Sequence, residues 1–132
     1  MSVRACSTGV LAILVGCGSA TCEPLDTDCA PLYAATFDEV HENTLQTSCG
    51  LGGGTCHSSE GGAAGLVLDG GPDAAYGALV DGGLVDLEAP ECSSILDRVD
   101  PVNPGNSMPP GDMLSETERC AIRQWVSAGA LR

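Results

Sequence analysis

The chain of 132 residues contains no lysine, and its aromatic side chains are one phenylalanine, one tryptophan and two tyrosines. Five arginines stand against 18 carboxylates, which gives a formal net charge of −13. Because nucleic acids and anionic membranes repel such a surface, we expect neither as a partner. The shortage of aromatic residues also means that apolar burial alone leaves a domain of this size only marginally stable.

Sequence signatures of common catalytic sites are missing as well. The chain contains no P-loop, Rossmann fingerprint or HExxH motif, and no Ser-His-Asp set. The apolar run within "MSVRACSTGVLAILVG" is too short to span a bilayer. These absences give no support to an enzyme that transforms a substrate with its own side chains.

The N-terminus has the layout of a secretory signal, with Arg4 followed by an apolar run through Val15. The stretch "LVGC" resembles the lipobox of bacterial lipoproteins, which predicts removal of residues 1–16 and attachment of lipid to Cys17. A plain signal peptide cut slightly later, or no processing, is the alternative. Gly18 is not the aspartate associated with inner-membrane retention, so we expect a lipid anchor at the periplasmic side or the surface of the outer membrane. The mature chain would keep four arginines and 18 carboxylates, a formal charge of −14.

Composition divides the remaining chain into a tether and one domain. Residues 17–35 combine two prolines with small and acidic residues, which predicts a tether. Residues 36–132 contain several stretches with helical signals, separated by segments rich in glycine or proline, and few strand signals. We therefore predict an all-α fold, a small helical domain with long Gly/Pro-rich loops.

Capping residues mark the first and the last predicted helix. Thr36 and Glu39 have capping-box spacing in "TFDEVHENTLQTS". Ser115 and Glu118 have the same spacing in "SETERCAIRQWVSAG", where Gly129 predicts the C-terminal cap. Shorter helices are predicted in "DGGPDAAYGALV" and "CSSILDRV", and the four prolines of "DPVNPGNSMPPGD" predict a loop.

The motif "SCGLGGGTCHSS" contains Cys49 and Cys56, separated by six residues, with His57 directly after the second cysteine. A c-type haem requires two thiols for its vinyl groups and a histidine in this position for the iron. The usual gap is two residues, and the three glycines at 52–54 would let the longer segment bulge outward. The same glycines would equally allow a disulfide between Cys49 and Cys56, with His57 an ordinary loop histidine. A zinc ion at these residues would lack a fourth ligand.

The order of the parts resembles that of a class I c-type cytochrome. The stretches "TFDEVHENTLQTSCGLGGGTCHSSEGGAAGLVLD", "CSSILDRVDP" and "SMPPGDMLSETERCAIRQWVSAGA" look like the cytochrome c-like domains of exported planctomycete and myxobacterial lipoproteins, over about residues 36–131. The resemblance implies one covalent haem c, bonded to Cys49 and Cys56. It further implies His57 as the proximal iron ligand and Met108 as the distal one.

The same resemblance implies one-electron transfer without substrate turnover, and therefore an electron carrier whose redox partner docks through a basic face. It also implies that the first and last helices cross, which would bring Phe37, Val40 or Leu45 near Ile122 and Trp125. The alternative is a haem-free, disulfide-stabilised interaction module with the same fold; a small peroxidase would need an open iron site. Met113 and His41 are weaker ligand candidates, and we expect both to pack within the fold.

Six cysteines follow Cys17, and an even number in an exported chain indicates disulfides. If the two cysteines of the motif hold haem, the four that remain are Cys22, Cys29, Cys92 and Cys120. Proximity along the chain favours pairing Cys22 with Cys29 and Cys92 with Cys120. Disulfides that contribute ~2–4 kcal/mol each would supplement the small core.

Overall fold

The computed structural model describes residues 22–50, 56–101 and 104–132 of the chain. The first helix, α1, begins as an α-helix over Phe37–Val40 and continues as a π-helix over His41–Gly50, and the label α1 is used for both parts. Three further helices follow: α2 at Pro72–Val80, α3 at Ser94–Val99 and α4 at Glu116–Ser127. Short 3-10 helices lie at Ala63–Gly65, Pro90–Cys92 and Pro104–Asn106. The described residues contain no strand, which confirms the all-α class.

The predicted signal peptide, the lipid site Cys17 and the three consecutive glycines of the cysteine motif lie outside the described residues. Within the ranges that are described, no helix has the length and apolar character that a membrane span requires.

Helices α1 and α4 pack against each other through aromatic rings. The ring centroids of Phe37 and Trp125 are 5.1 Å apart, and Tyr76 of α2 meets Phe37 edge-on at 5.1 Å. The indole N–H of Trp125 donates to the carbonyl oxygen of Leu131 at 2.9 Å, so this buried ring has its polar atom satisfied. The predicted contact between Phe37 and Trp125 is therefore confirmed.

One core joins all four helices. Its largest fully buried side chains are aromatic or aliphatic, and they come from α1, α2 and α4: Phe37, Val40, Leu45, Leu79, Ile122, Trp125 and Val126. Helix α3 adds Ile95, Leu96 and Val99. Each helix thus buries one face and exposes the other, as the spacing of apolar residues predicts.

Both ends of α4 have the predicted caps. The hydroxyl of Ser115 accepts from the N–H of Glu118 at 3.3 Å, and the carboxylate of Glu118 accepts from the N–H of Ser115 at 2.9 Å. At the other end Gly129 has φ +98°, and its N–H donates to Val126 while that of Ala130 donates to Trp125, both at 3.0 Å. This pair of bonds is the Schellman arrangement, which satisfies two of the last carbonyls.

The capping box predicted at α1 is wrong. Thr36 makes no side-chain capping bond, and its N–H donates to the carbonyl oxygen of Ala34 at 2.8 Å. The carboxylate of Glu39 instead accepts from the side-chain amide of Asn43 at 3.0 Å, one turn along the helix. The N–H of Thr36 and the carboxylate of Glu39, which would bond to each other in a capping box, therefore each bond to another partner.

The four cysteines that the structure describes outside the motif form disulfides, but not between neighbours along the chain. Cys22 bonds to Cys92 and Cys29 bonds to Cys120, across separations of 70 and 91 residues. The pairing predicted from proximity is therefore wrong. The reason lies in α4, where the side-chain amide of Gln124 donates to the carbonyl oxygens of Thr27 and Cys29, both at 3.1 Å. The N-terminal segment consequently runs along α4, which brings Cys29 to the buried Cys120.

Residues 22–35, the described part of the predicted tether, are bonded to the domain. The N–H of Leu32 donates to the carbonyl oxygen of Thr117 at 3.0 Å, and the guanidinium of Arg123 donates to the carbonyl oxygen of Asp26 at 2.9 Å. The hydroxyl of Tyr33 hydrogen-bonds that of Thr44 in α1. Residues 22–35 therefore belong to the packed structure, although the composition of the sequence places the start of the domain after residue 35.

An ion-pair network joins the end of α3 to α4. Arg119 contacts Asp100 at 2.7 Å and Glu116 at 2.8 Å, and the buried Arg123 pairs with the same two carboxylates. Burial by itself lowers the pKa of Arg123, but hydrogen bonds to Glu116 and Asp100 raise it overall. Loss of either carboxylate would leave the buried Arg123 with one of its two ion-pair partners.

We expect the double substitution Cys29→Ser/Cys120→Ser to lower the free energy of unfolding by about 2–5 kcal/mol, because this bridge closes a long loop in the unfolded chain. Denaturant unfolding monitored by circular dichroism measures the change. Peptide mapping of the unreduced parent protein is the companion measurement, and a peptide containing a bond between Cys22 and Cys29 would contradict the connectivity.

Candidate functional site

A cavity of about 250 Å³ opens between α1, α2, α3 and the loops that follow the cysteine motif and precede α4. Most of its wall is aliphatic, and its lining residues are Leu45, Cys49, His57, Ala64, Leu66, Leu68, Leu79, Leu84, Ile95, Arg98, Val99 and Met108. The volume is near the lower end of the range of ligand pockets, which begins at about 300 Å³. Three of the four predicted haem residues thus share one apolar cavity, and the fourth, Cys56, directly precedes His57 along the chain but is not one of the lining residues.

The imidazole of His57 has a fixed tautomer. Its Nδ1 lies 3.0 Å from the carbonyl oxygen of Ala63, and a carbonyl oxygen accepts but does not donate. The ring proton therefore sits on Nδ1, and Nε2 keeps its lone pair. Histidines that ligate metals are commonly oriented by a hydrogen bond of this kind. No sequence pattern points to Ala63, because the acceptor is a backbone atom.

Backbone hydrogen bonds bring the two ends of the long cysteine gap together. The N–H of His57 donates to the carbonyl oxygen of Cys49 at 2.9 Å, and the N–H of Leu68 donates to that of His57 at 2.7 Å. Cys49 lies at the end of the π-helix, one residue before its last residue Gly50, and the bond to its carbonyl oxygen makes Cys49 and His57 neighbours in space. A six-residue gap is consequently compatible with a cysteine and a histidine that line one cavity.

A second set of bonds fixes the loop that carries His57. The Nε2 atom of the buried His41 lies 3.1 Å from the carbonyl oxygen of Leu68, and both carboxylate oxygens of Asp69 accept from the N–H of Ser59 at 2.9 Å. These bonds from the backbone and hydroxyl of Ser59 lower the pKa of Asp69. His41 packs within the fold as expected. It also positions the wall of the cavity, a role that its spacing along α1 did not predict.

The two methionines considered as sulfur ligands have different environments. Met108 lines the cavity, and its N–H donates to the carbonyl oxygen of Arg98 at 2.7 Å, which ties the Met-Pro-Pro loop to α3. Met113 has 42% of its surface exposed, so the expectation that it packs at the start of α4 is wrong. Met108 is therefore the better placed of the two thioethers.

The thiol of Cys49 is buried, with 8% of the residue exposed. Burial raises its pKa to about 11, with smaller contributions from the nearby Cys56 and Glu118. The thiol is protonated at neutral pH as a result. In the part of the chain that the structure describes, neither Cys49 nor Cys56 forms a disulfide, so the third disulfide of the alternative interpretation is not present there.

No group of three or more His, Cys, Asp or Glu side chains is arranged to hold a metal ion among the described residues. A haem differs from a bare ion in this respect, because the macrocycle itself supplies four nitrogen ligands and the protein supplies the axial ones. The donors in the cavity wall, an imidazole and a thioether, are of the types that c-type cytochromes use. The residues present therefore fit a haem by their chemistry.

Comparisons of the chain with protein-family models, with curated proteins and with solved structures found no match. The assignment of the site consequently depends on the residues and the geometry described above.

We expect alkylation of Cys49 in the haem-free chain to be slow at pH 8 and to accelerate up to about pH 11, because the reactive thiolate forms only as the raised pKa is passed. Iodoacetamide labelling at a series of pH values, read by mass spectrometry of the peptides, measures this profile. The chain in denaturant is the control, and Cys49 there should follow an ordinary thiol pKa of about 8.5. A profile that is the same with and without denaturant would contradict the buried position of Cys49.

Proposed function

We propose that the domain binds one covalent haem c in this cavity and serves as a one-electron carrier. The observation that supports this most strongly is the apolar wall that contains Cys49, His57 and Met108 together. A haem iron supplies the electron chemistry by alternating between its ferric and ferrous states. The tasks left to the protein are to hold the ring, to provide axial ligands and to exclude water.

His57 and Met108 are the axial ligands in this proposal. The bond from Nδ1 of His57 to the carbonyl oxygen of Ala63 leaves Nε2 available for the iron and keeps the imidazole oriented. The thioether of Met108 is a soft, uncharged ligand that favours ferrous iron, so a His/Met pair raises the reduction potential relative to two histidines.

Cys49 and Cys56 are the residues that would hold the ring through thioether bonds. Cys49 lies in the cavity wall, and Cys56 directly precedes His57. The hydrogen bond from the N–H of His57 to the carbonyl oxygen of Cys49 holds Cys49 close to the residue that follows Cys56, although six residues separate the two cysteines along the chain.

The aliphatic part of the wall has two consequences for the ring. Leu45, Leu68 and Leu79 are each almost completely buried, and they offer apolar surface to a flat macrocycle. An apolar cavity also excludes water, which stabilises the less charged ferrous form and adds to the effect of Met108 on the potential.

A lipid on Cys17 would keep the domain close to the membrane. Cys22 lies five residues after Cys17 and is fixed to Cys92 by a disulfide. Five residues of extended chain span at most about 18 Å at 3.6 Å per residue. The proposed carrier would thus work near the outer-membrane surface, and its acidic mature chain favours a redox partner with a basic face.

We expect the chain, when expressed in a host with haem-attachment machinery, to be coloured and to carry the mass of one haem after denaturation. Both results follow from covalent attachment at Cys49 and Cys56. Intact mass spectrometry and a reduced-minus-oxidised absorption spectrum are the measurements. The control is Cys49→Ala together with Cys56→Ala, which should remove the covalent mass.

A colourless product of unaltered mass would instead favour the haem-free, disulfide-stabilised interaction module. In that case the cavity belongs to a fold that has lost its cofactor, and electron transfer is rejected.

We expect Met108→Ala to change the visible spectrum and to lower the reduction potential by at least about 59 mV, which is a tenfold loss in the preference for ferrous iron in a one-electron couple. The reason is the loss of the soft thioether ligand. Redox titration of the haem-loaded chain measures the shift. Met113→Ala is the matched control, since this exposed methionine should leave spectrum and potential unchanged. Equal effects of the two substitutions would reject Met108 as a ligand.

A further inference from the structure

Among the residues that the structure describes, the cavity wall includes one permanently charged side chain, that of Arg98 in α3. The rest of the lining is aliphatic apart from Cys49, His57 and Met108. A positive charge beside an apolar surface is stabilised when an anion pairs with it. The composition of the wall thus indicates a ligand with an apolar body and one anionic edge.

The other described arginines already have such partners within the domain. Arg119 and Arg123 each contact two carboxylates at the junction of α3 and α4, and Arg132 pairs with Asp38 and Asp73. Arg98 forms no ion pair with any residue in the described ranges, although the chain contains 18 carboxylates. Its guanidinium therefore remains available for a carboxylate from outside the chain.

The backbone places Arg98 at the rim of the cavity next to Met108. The carbonyl oxygen of Arg98 accepts from the N–H of Met108 at 2.7 Å, while the side chain of Arg98 is exposed and still contributes to the lining. An exposed position at the rim leaves the guanidinium partly solvated, so it carries little desolvation cost before the ligand arrives. The same position lets it meet the polar edge of a ligand whose body lies deeper.

We propose that Arg98 binds a carboxylate of the ligand that fills the cavity, so that the site selects an amphipathic carboxylic acid with a broad apolar body. The inference rests on the proposed function, where the carboxylate is a haem propionate. A guanidinium has two parallel N–H donors that match the two oxygens of a carboxylate, which an amide or a hydroxyl does not reproduce. Arg98 is then a determinant of ligand selection, and it takes no part in axial ligation.

The test uses the full chain with Cys17→Ser, produced without haem attachment and with its disulfides oxidised. Calorimetric titrations compare protoporphyrin IX with its dimethyl ester, which has the same ring and no carboxylate charge. We expect the acid to bind at least tenfold more tightly than the ester, which corresponds to about 1.4 kcal/mol. Arg98→Gln should reduce this preference to less than twofold while the affinity for the ester stays unchanged.

Two further variants separate the role of Arg98 from a general effect of charge. Arg132→Gln removes an equal charge from a residue that pairs with Asp38 and Asp73, and it should preserve the tenfold preference. Arg98→Lys keeps the charge but loses the paired donors, so it should retain part of the preference. Circular dichroism of each variant verifies that the helices form.

The outcomes distinguish the further inference from the function on which it rests. Equal affinity of the parent chain for acid and ester, or an unchanged preference in Arg98→Gln, overturns the role of Arg98 and leaves the haem site intact. If neither porphyrin binds, the haem site itself fails. Hexadecanoic acid is titrated as a separate arm: binding that requires Arg98, without porphyrin binding, supports carboxylate recognition and assigns the cavity to a fatty acid.

In the haem-loaded chain a second readout is the dependence of the reduction potential on pH. An ion pair with Arg98 lowers the pKa of the propionate, because the nearby cation favours the charged carboxylate. We therefore expect Arg98→Gln to shift the range in which the reduction potential depends on pH to higher pH. An identical profile in the two proteins would contradict the pairing.

Discussion

The hydrogen bond from the N–H of His57 to the carbonyl oxygen of Cys49 is the contact on which the site depends. It closes the cysteine motif at its base and joins the end of the π-helix to the loop that follows. The bond from Leu68 to His57 extends the same arrangement, and His41 holds Leu68 in turn. A chain of backbone contacts therefore connects the first helix to the imidazole in the cavity wall. The side chains of the site depend on it for their positions.

Two long-range disulfides hold distant segments of the whole domain together. The core contains few aromatic rings, and the helices α2 and α3 have nine and six residues, so neither would be stable in isolation. The disulfides attach the N-terminal segment to Cys92, in the 3-10 helix before α3, and to Cys120 within α4, and they restrict the unfolded chain. The ion pairs of Arg119 and Arg123 connect the end of α3 to α4. Covalent and ionic contacts thus supplement a small apolar core.

Sequence reasoning found the features that depend on local chemistry. The capping box of Ser115 and the glycine after α4 both agree with the structure. The packing of Phe37 on Trp125 also agrees, but it was implied by the resemblance and not by local spacing. It failed where distant segments decide the outcome. Disulfide pairing depends on the path of residues 22–35 along α4, which no local spacing encodes. The capping box at Thr36 failed because its N–H donates to Ala34 and the carboxylate of Glu39 accepts from Asn43, and neither bond is visible in the spacing.

The residues of the candidate site also fall into those that the sequence identified and those that only the fold shows. The motif identified Cys49 and His57, and the family resemblance identified Met108; all three line one cavity, whereas the supporting acceptor Ala63 and the rim residue Arg98 emerged from the fold alone. Backbone acceptors carry no side-chain signature, and an unpaired arginine is recognised only after the partners of the others are known. The haem assignment itself remains a proposal that the chemistry of these donors supports.

The connectivity of the disulfides has a consequence for biogenesis. Export from the N-terminus, as proposed, would deliver Cys22 and Cys29 to an oxidising compartment before Cys92 and Cys120. Oxidation as each thiol emerges would join the first two cysteines, and that bond is absent from the folded domain. Maturation would then require either delayed oxidation or a thiol that exchanges the early bond for the native ones. The native disulfide of Cys29 would thereby form only after Cys120 of α4, the last helix, has become available.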